Sequence, residues 1–227
     1  MSNVKRFRYE RKFNIEGRTA AEVEAMIRFH PATFSEIFHE RVVNNIYFDS
    51  FNMRHYFDNV NGANMRLKMR IRWYGDLFGT VEEPVLELKL KHNLHVGKLL
   101  YPLKEFVMDS GFSINDIRRV FAESSISEAI RPHLSELNFS LLNSYTRKYF
   151  LSSDRNYRVT VDRDVMAYGL SPHENRFLRR VVNRTGVILE LKYNKAQDES
   201  ADCITNYFPF RMTRSSKYVN GLERLYA

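Results

Sequence analysis

Residues 65–73 read Met65-Arg66-Leu67-Lys68-Met69-Arg70-Ile71-Arg72-Trp73. Apolar and cationic residues alternate with period two, the signature of an extended strand. In a strand, Arg66, Lys68, Arg70 and Arg72 share one face, and Met65, Leu67, Met69, Ile71 and Trp73 share the other. Same-face neighbours lie roughly 6.5–7 Å apart. At an effective dielectric near 20, adjacent unit charges at that spacing repel by roughly 2–2.5 kcal/mol. Such a row suits a solvated face, where water and salt screen it, or a site for an anion.

The theme recurs on both sides of this stretch. Phe7 to Ile15, Val42 to Asp49, Val85 to Lys91, Ser144 to Leu151, Tyr157 to Val165 and Thr185 to Tyr193 also alternate, and Gly97 to Phe106 does so more weakly. Arg8, Glu10 and Lys12 oppose Phe7, Tyr9 and Phe13; Glu87, Lys89 and Lys91 oppose Leu86, Leu88 and Leu90. Arg158, Thr160 and Asp162 oppose Val159 and Val161, and Glu190 and Lys192 oppose Leu189 and Leu191. Between strand groups fall helical patterns. Thr19 and Glu22 form a capping box before Ala20 to Phe29. Ser113 to Glu123 carries an apolar stripe of Ile114, Ile117, Val120 and Phe121, and Ser125 to Leu137 holds a helix broken at Pro132. Ala201 to Tyr207 and Lys217 to Leu225 read as short helices. Strands in hairpin-like pairs with helices between groups predict an α+β fold with a mostly antiparallel sheet.

A sandwich with wet outer faces is one way to arrange these strands. Ordinary exposed strands, however, carry Thr, Ser and Gln, whereas these polar faces are almost wholly ionic. Helices covering the apolar faces would leave the charged faces to curl inward, giving a closed antiparallel β-barrel tunnel of about eight strands with helices packed outside. Closure also removes unpaired edges. An interior crowded with cations is relieved by a polyanion, and the few carboxylates among them offer hard oxygens to a divalent metal.

The bulk properties agree. The chain has 227 residues, 44% of them hydrophobic, with only 9 Gly and 6 Pro and no linker-like stretch, which predicts one domain over 1–227. The net charge of +8 calls for an anionic partner. Cys203 is the only cysteine, so no internal disulfide forms and a reducing, cytoplasmic setting is expected. Met1 to Lys12 is polar and basic, without the apolar run of a signal peptide or transmembrane segment. A peripheral membrane role and a membrane-protein partner stay open, and no oligomeric state is specified.

Taken in order, these segments resemble the polyphosphate-polymerase domain of the vacuolar transporter chaperone (VTC) family, within the triphosphate tunnel metalloenzymes. The pieces that carry the resemblance are Arg8-Tyr9-Glu10-Arg11-Lys12-Phe13, Asn45-Ile46-Tyr47-Phe48-Asp49, Arg70-Ile71-Arg72-Trp73-Tyr74-Gly75, and Leu86-Glu87-Leu88-Lys89 with Lys98 beyond. Then follow Thr146-Arg147-Lys148-Tyr149-Phe150, Arg158-Val159-Thr160-Val161-Asp162, Leu189-Glu190-Leu191-Lys192, and Ser215-Ser216-Lys217-Tyr218 before Gly221. The resemblance implies transfer of the γ-phosphate of ATP to a growing polyphosphate chain. It implies catalytic roles for Lys12, Arg70, Arg72, Lys89 and Lys217. Substrate binding would fall to Arg8, Arg66, Lys68, Lys91, Lys98, Arg147, Arg158, Lys192, Arg214 and Ser216. Glu190, with Glu10 or Glu87 in support, would hold Mn2+ or Mg2+. One departure matters: hydrolases and cyclases of the superfamily open with Glu-x-Glu-x-Lys, where this chain has Arg8-x-Glu10-x-Lys12. That favours the polymerase branch. The sensing domain and membrane helices of eukaryotic relatives do not fit in 227 residues.

Other chemistry finds little support. No Gly-x4-Gly-Lys-Ser/Thr loop and no His-Glu-x-x-His occur. His92 and His95 flank an expected hairpin turn and read as surface residues. The run from Arg176 to Arg184 reads as a solvated arm or strand edge, or as an electrostatic funnel. The competing functions are a tripolyphosphate or nucleoside-triphosphate hydrolase, a polyphosphate sensor without chemistry, and a nucleic-acid binder. Against the last, Phe7, Tyr9, Phe13 and Trp73 alternate onto the apolar faces, away from the cations.

Overall fold

The computed structural model describes residues 8–92 and 95–226, the side chains at 8, 92, 95 and 96 excepted. The side chains of Arg8, His92 and His95, and all of Phe7, therefore lie outside the described residues. In chain order the elements are β1 (Arg8–Ile15), α1 (Ala20–Arg28), β2 (Ser35–Asp49), α2 (Arg54–Val60), β3 (Met65–Tyr74), β4 (Gly79–Val81), β5 (Val85–His92), β6 (His95–Pro102) and β7 (Phe106–Met108). They continue with α3 (Ile114–Glu123), α4 (Arg131–Ser135), β8 (Asn138–Leu151), β9 (Arg158–Tyr168), β10 (Arg180–Asn183), β11 (Val187–Asn194), α5 (Ala201–Thr205) and α6 (Lys217–Tyr226).

The expected strands are present and antiparallel. They form one nine-stranded sheet in the order β1-β11-β9-β8-β2-β3-β5-β6, with β10 paired to β9; β4 and β7 make a separate two-stranded sheet. The apolar faces become the convex side. Phe13, Val159, Val161, Leu189 and Leu191 pack with Val23 and Ile27 of α1 and Ile204 of α5. Ile46, Met69, Ile71, Trp73, Leu86 and Leu88 pack with the α3 stripe of Ile114, Ile117, Val120 and Phe121. Each large side chain buried this way contributes roughly 1.5–3 kcal/mol. The Thr19–Glu22 capping box starts α1 as the sequence predicts.

Four expectations are corrected. Among the described residues the sheet does not close by hydrogen bonds: β1 and β6 end the strand order without pairing to each other. The free edge of β1 is already taken. Thr213 N–H donates to Lys12 O at 2.8 Å, Asn14 N–H donates to Thr213 Oγ1 at 3.0 Å, and Phe13 bridges Met212. Backbone groups satisfied by the 212–213 segment have none left for β6. Nor are all helices outside. Tyr218, Leu222 and Leu225 of α6 pack on Tyr47, Leu141 and Ala167, whose partners Arg70 and Asn143 mark them as residues of the charged, concave face. The helix around Pro132 is not broken there; Pro132 sits in the first turn of the short α4, where a missing N–H costs nothing. The weak strand from Gly97 to Phe106 divides into β6 and β7, which lie in different sheets.

Gly221 is what lets α6 approach. A Cβ there would stand 2.7 Å from Leu141 Cδ2 and 3.5 Å from the Ala167 Cβ. Gly221→Ala is expected to cost up to about 2 kcal/mol, because overpacking of roughly 1–3 kcal/mol is offset by a helix-propensity gain of only about 1 kcal/mol. Urea unfolding checks this; a variant as stable as the parent would show that α6 has room to shift.

Candidate functional site

On the concave face, strand register decides which charges meet. Some directly opposed residues are of opposite sign: Arg70 with Glu87, Lys12 with Glu190, Glu10 with Lys192, and Arg147 with Asp162. Others are like-charged: Arg66 with Lys91, Lys68 with Lys89, Lys89 with Lys98, and Arg158 with Lys192. Directly opposed side chains have Cβ atoms roughly 4.5–5.5 Å apart, and like charges there destabilise the sheet. One of these rungs, Lys68–Lys89–Lys98, runs across three strands.

The opposed pairs build a rigid frame. Arg70 donates to Glu87 Oε2 through Nε at 2.8 Å and Nη2 at 2.6 Å, and Lys98 Nζ donates to Glu87 Oε1 at 2.8 Å. Arg72 Nη1 lies 3.4 Å from the same carboxylate, and Arg72 Nε donates to Asn45 Oδ1 at 3.2 Å. Burial would raise the Glu87 pKa; Arg70 and Lys98 outweigh it and hold the group below the usual carboxylate value. Glu87 is thus saturated by cations and serves as their counter-ion.

Asp162 is the second anchor, fully buried at 0% exposure. Both of its oxygens accept from Arg147, with Nη2 to Oδ2 at 2.7 Å, and Lys217 Nζ also donates to Oδ2. Burial raises the Asp162 pKa, but Arg147 and Lys217 bring it below normal. The sequence shows Asp162 on the same strand face as Arg158 and Thr160, a signal that could have marked it. Arg41, also missed, stands opposite Arg147 and over the rings of Phe38 at 5.0 Å and Tyr74 at 5.4 Å. The expectation that aromatics avoid the charged face holds for Trp73 and Phe13, which are buried in the outer cores. It fails for Tyr47, Tyr145 and Tyr149, which meet the guanidinium groups of Arg70 and Arg147.

Glu190 and Glu10 have a different setting. Glu190 lies 3.4 Å from Lys192, 3.9 Å from Lys12 and 3.7 Å from Arg147. Among the described residues none of these three contacts is a hydrogen bond. Burial pushes the Glu190 carboxyl up, and Lys192, Lys12, Arg147 and Lys217 together carry it well below the usual range. Glu10 is 3.9 Å from Lys12 and 3.3 Å from Lys89. Because β1 and β5 are far apart in the strand order, the Glu10–Lys89 contact shows the sheet rolled around its charged face. Thr160 stands opposite Glu190, and its buried hydroxyl has no hydrogen-bond partner among the described residues. Among the described residues no three His, Cys, Asp or Glu side chains form a ready cage for a metal. A hard cation that keeps waters and phosphate oxygens needs only one or two carboxylates. Glu190, with Thr160 opposite it, and Glu10, each 3.9 Å from Lys12 Nζ, fit that requirement; Glu87 does not.

The segment before α6 enters the same space. Lys12 Nζ donates to Ser215 O at 3.4 Å, and Lys68 Nζ donates to Ser216 Oγ at 2.9 Å. Asp49, at the end of β2, caps α2 through the N–H groups of His55 at 2.8 Å and Tyr56 at 2.9 Å and also accepts from Tyr218, fixing α6. Arg66, Lys91, Arg158 and Arg214 make no ion pair within the described residues. The run from Arg176 to Arg184 ends in the short strand β10, which pairs with Val165–Tyr168 of β9 on the same edge that β11 uses at Arg158–Asp162.

Lys68 is the cation whose proton affinity falls furthest. Burial first, then Lys12, Lys89, Arg70 and Arg66, push it down to about 7. Between that value and the ordinary lysine value near 10.4, the unfolded chain holds one more proton, so Lys68 makes stability rise with pH in that window. An anion restores the proton. Tripolyphosphate binding is therefore expected to take up close to one proton above pH 7 and to weaken by up to about tenfold per pH unit there. Titration calorimetry in buffers of different ionisation enthalpy measures the uptake, with Lys68→Met as reference for the ligand's own protons. Equal uptake in both proteins would show that Lys68 does not titrate.

The fold and this site define an α+β protein whose rolled antiparallel sheet turns a cation-rich face inward. The chain belongs to the VTC domain family, whose model matches residues 7–226. Among solved structures it is similar to a candidate adenylate cyclase from Bacillus halodurans, at 13% identity and TM-score 0.57, covering 98% of both chains. A second candidate adenylate cyclase, from Vibrio parahaemolyticus, shares 9% identity with TM-score 0.56 over 96% of this chain and 98% of its own. Likeness at that identity speaks for the fold alone. No curated protein matches the sequence. Among the described residues, no helix is long and apolar enough to cross a membrane.

Proposed function

We propose that the chain is a polyphosphate polymerase that transfers the γ-phosphate of ATP to a phosphate chain held on its concave face. The observation that carries this reading is the like-charged rung Lys68–Lys89–Lys98, in which Glu10 pairs Lys89 and Glu87 pairs Lys98 while Lys68 makes no ion pair among the described residues, a charge that a phosphate chain would balance. Phosphoryl transfer asks for in-line placement and charge stabilisation, and little else from the protein. Arg70 and Arg72, held by Glu87 and Asn45, are oriented to offer guanidinium edges to phosphate oxygens. Lys12, Lys89 and Lys217 act as point charges. Glu190 and Glu10 would hold Mn2+ or Mg2+, which when bound neutralises charge on the transferred phosphoryl group. A terminal oxygen of the acceptor chain forms the new bond to the γ-phosphorus. The bond from that phosphorus to the β–γ bridging oxygen breaks, and ADP leaves with the bridging oxygen. No general base is needed, because the attacking oxygen is already anionic.

The test is incubation with ATP and Mn2+ followed by sizing of the product on a gel. Long polymer supports the reading. Free orthophosphate would instead support hydrolysis, the alternative favoured by α6 lying across one end of the concave face. Arg70→Ala with Arg72→Ala is expected to slow synthesis by roughly a hundredfold, the loss of two charge-assisted contacts of about 1.5 kcal/mol each. Parental rates in that variant would remove both residues from the mechanism.

A further inference from the structure

The end of the concave face bounded by Asp49 of β2 and Asn14 of β1 is covered unevenly. On its β2, β8 and β9 side α6 lies against the sheet: Tyr218 stacks on Tyr47 at 5.1 Å, and Leu222 meets Leu141 and Ala167. The space left beneath the helix is lined largely by apolar and amide groups, including Val165, Val181, Ile188, Asn143 and Asn220. Lys217 and Arg224 border it, but Lys217 is already engaged by Asp162. A polyanion entering there would lose hydration and meet few free charges.

The β3 and β5 side of the same end is different. Arg66 and Lys91 stand directly opposite each other, one same-face step beyond the Lys68–Lys89 rung. Neither makes an ion pair among the described residues, and neither does the exposed Arg214 on the segment before α6. Burial and the charges of Arg66, Lys89 and Arg214 lower the Lys91 pKa, so these cations share one space. Among the described residues β6 does not pair with β1, and the 212–213 segment along the β1 edge leads directly into Arg214.

Resting on the phosphate-chain reading above, we propose that a long chain runs from the Lys68–Lys89–Lys98 rung out across Arg66, Lys91 and Arg214, leaving beside α6 and not beneath it. This exit makes affinity depend on chain length: tripolyphosphate occupies the inner rungs, and a longer chain also meets the outer three cations. The experiment compares tripolyphosphate with long-chain polyphosphate by competition binding at several salt concentrations. The parent protein is expected to prefer the long chain by about tenfold. In the triple variant Arg66→Gln, Lys91→Gln, Arg214→Gln that ratio is expected to fall toward one. The slope of log affinity against log salt for the long chain is expected to drop by about two to three, one counterion per lost contact. Val181→Trp, which fills the space beneath α6, is expected to keep the parental ratio. A triple variant with the parental ratio, or loss of the ratio in Val181→Trp, overturns the exit. Failure of the parent protein to bind tripolyphosphate at all overturns the phosphate-chain reading, and the exit with it.

Discussion

Arg147→Met is expected to destabilise the fold by about 3–5 kcal/mol, the largest single effect on stability here, because it leaves a carboxylate of zero exposure short of its main partner. Asp162 keeps only Lys217, at the start of α6. Part of the loss should return in the double variant Arg147→Met, Asp162→Asn, where no buried charge is stranded. The pH dependence follows from the direction of the shifts. Asp162 and Glu190 both titrate lower in the folded protein than in the unfolded chain. Their stabilisation is present above the unfolded carboxylate value near 4 and is lost as pH falls toward the folded one. The gap between parent and Arg147→Met should therefore narrow in acid. Urea unfolding at neutral and acid pH measures both quantities; a cost below about 1 kcal/mol at neutral pH would show that the pair adds only what a surface ion pair does.

Glu190→Gln is expected to lower metal-dependent polyphosphate synthesis by roughly a thousandfold, since a metal's charge stabilisation of several kcal/mol is at stake. The substitution is isosteric, and the carboxylate makes no short hydrogen bond whose loss would unsettle the sheet. Binding of tripolyphosphate in the presence of a chelator should move the other way. Removing a negative charge from among Lys12, Lys192 and Arg147 leaves more positive charge for the ligand, so affinity should hold or rise. The opposite signs separate a metal ligand from a structural counter-ion. Synthesis at the parental rate in Glu190→Gln would take Glu190 out of the metal site, and a parallel loss of chelator-resistant binding would make its role structural. Glu87→Gln should behave in that second way, because Glu87 is held by Arg70 and Lys98 at hydrogen-bond distance.

Alternation along the chain was enough to place the principal strands, to separate an apolar from an ionic face, and to find the capped helices α1 and α3. These are local properties: side-chain period and capping are settled within a few residues. The same period placed Arg70, Arg72, Lys89, Glu190 and Lys192 on one continuous face, and the structure joins them across strands. Which charges oppose which was not legible, because register comes from pairings between distant segments. Nothing near Glu87 in sequence says that Arg70 and Lys98 will saturate it while Glu190 keeps longer contacts. The edge of β1 was likewise invisible, since it is taken by Met212 and Thr213 some two hundred residues later in the chain. The inward position of α6 depends on Gly221 meeting Leu141 and on Tyr218 reaching Asp49. By itself, then, the sequence determined an α+β chain with cationic strand faces and a net charge of +8. Only the tertiary structure decided that the sheet rolls without closing, that one helix lies within it, and which carboxylates are free of short contacts, because those outcomes turn on long-range contacts competing for the same edges and charges.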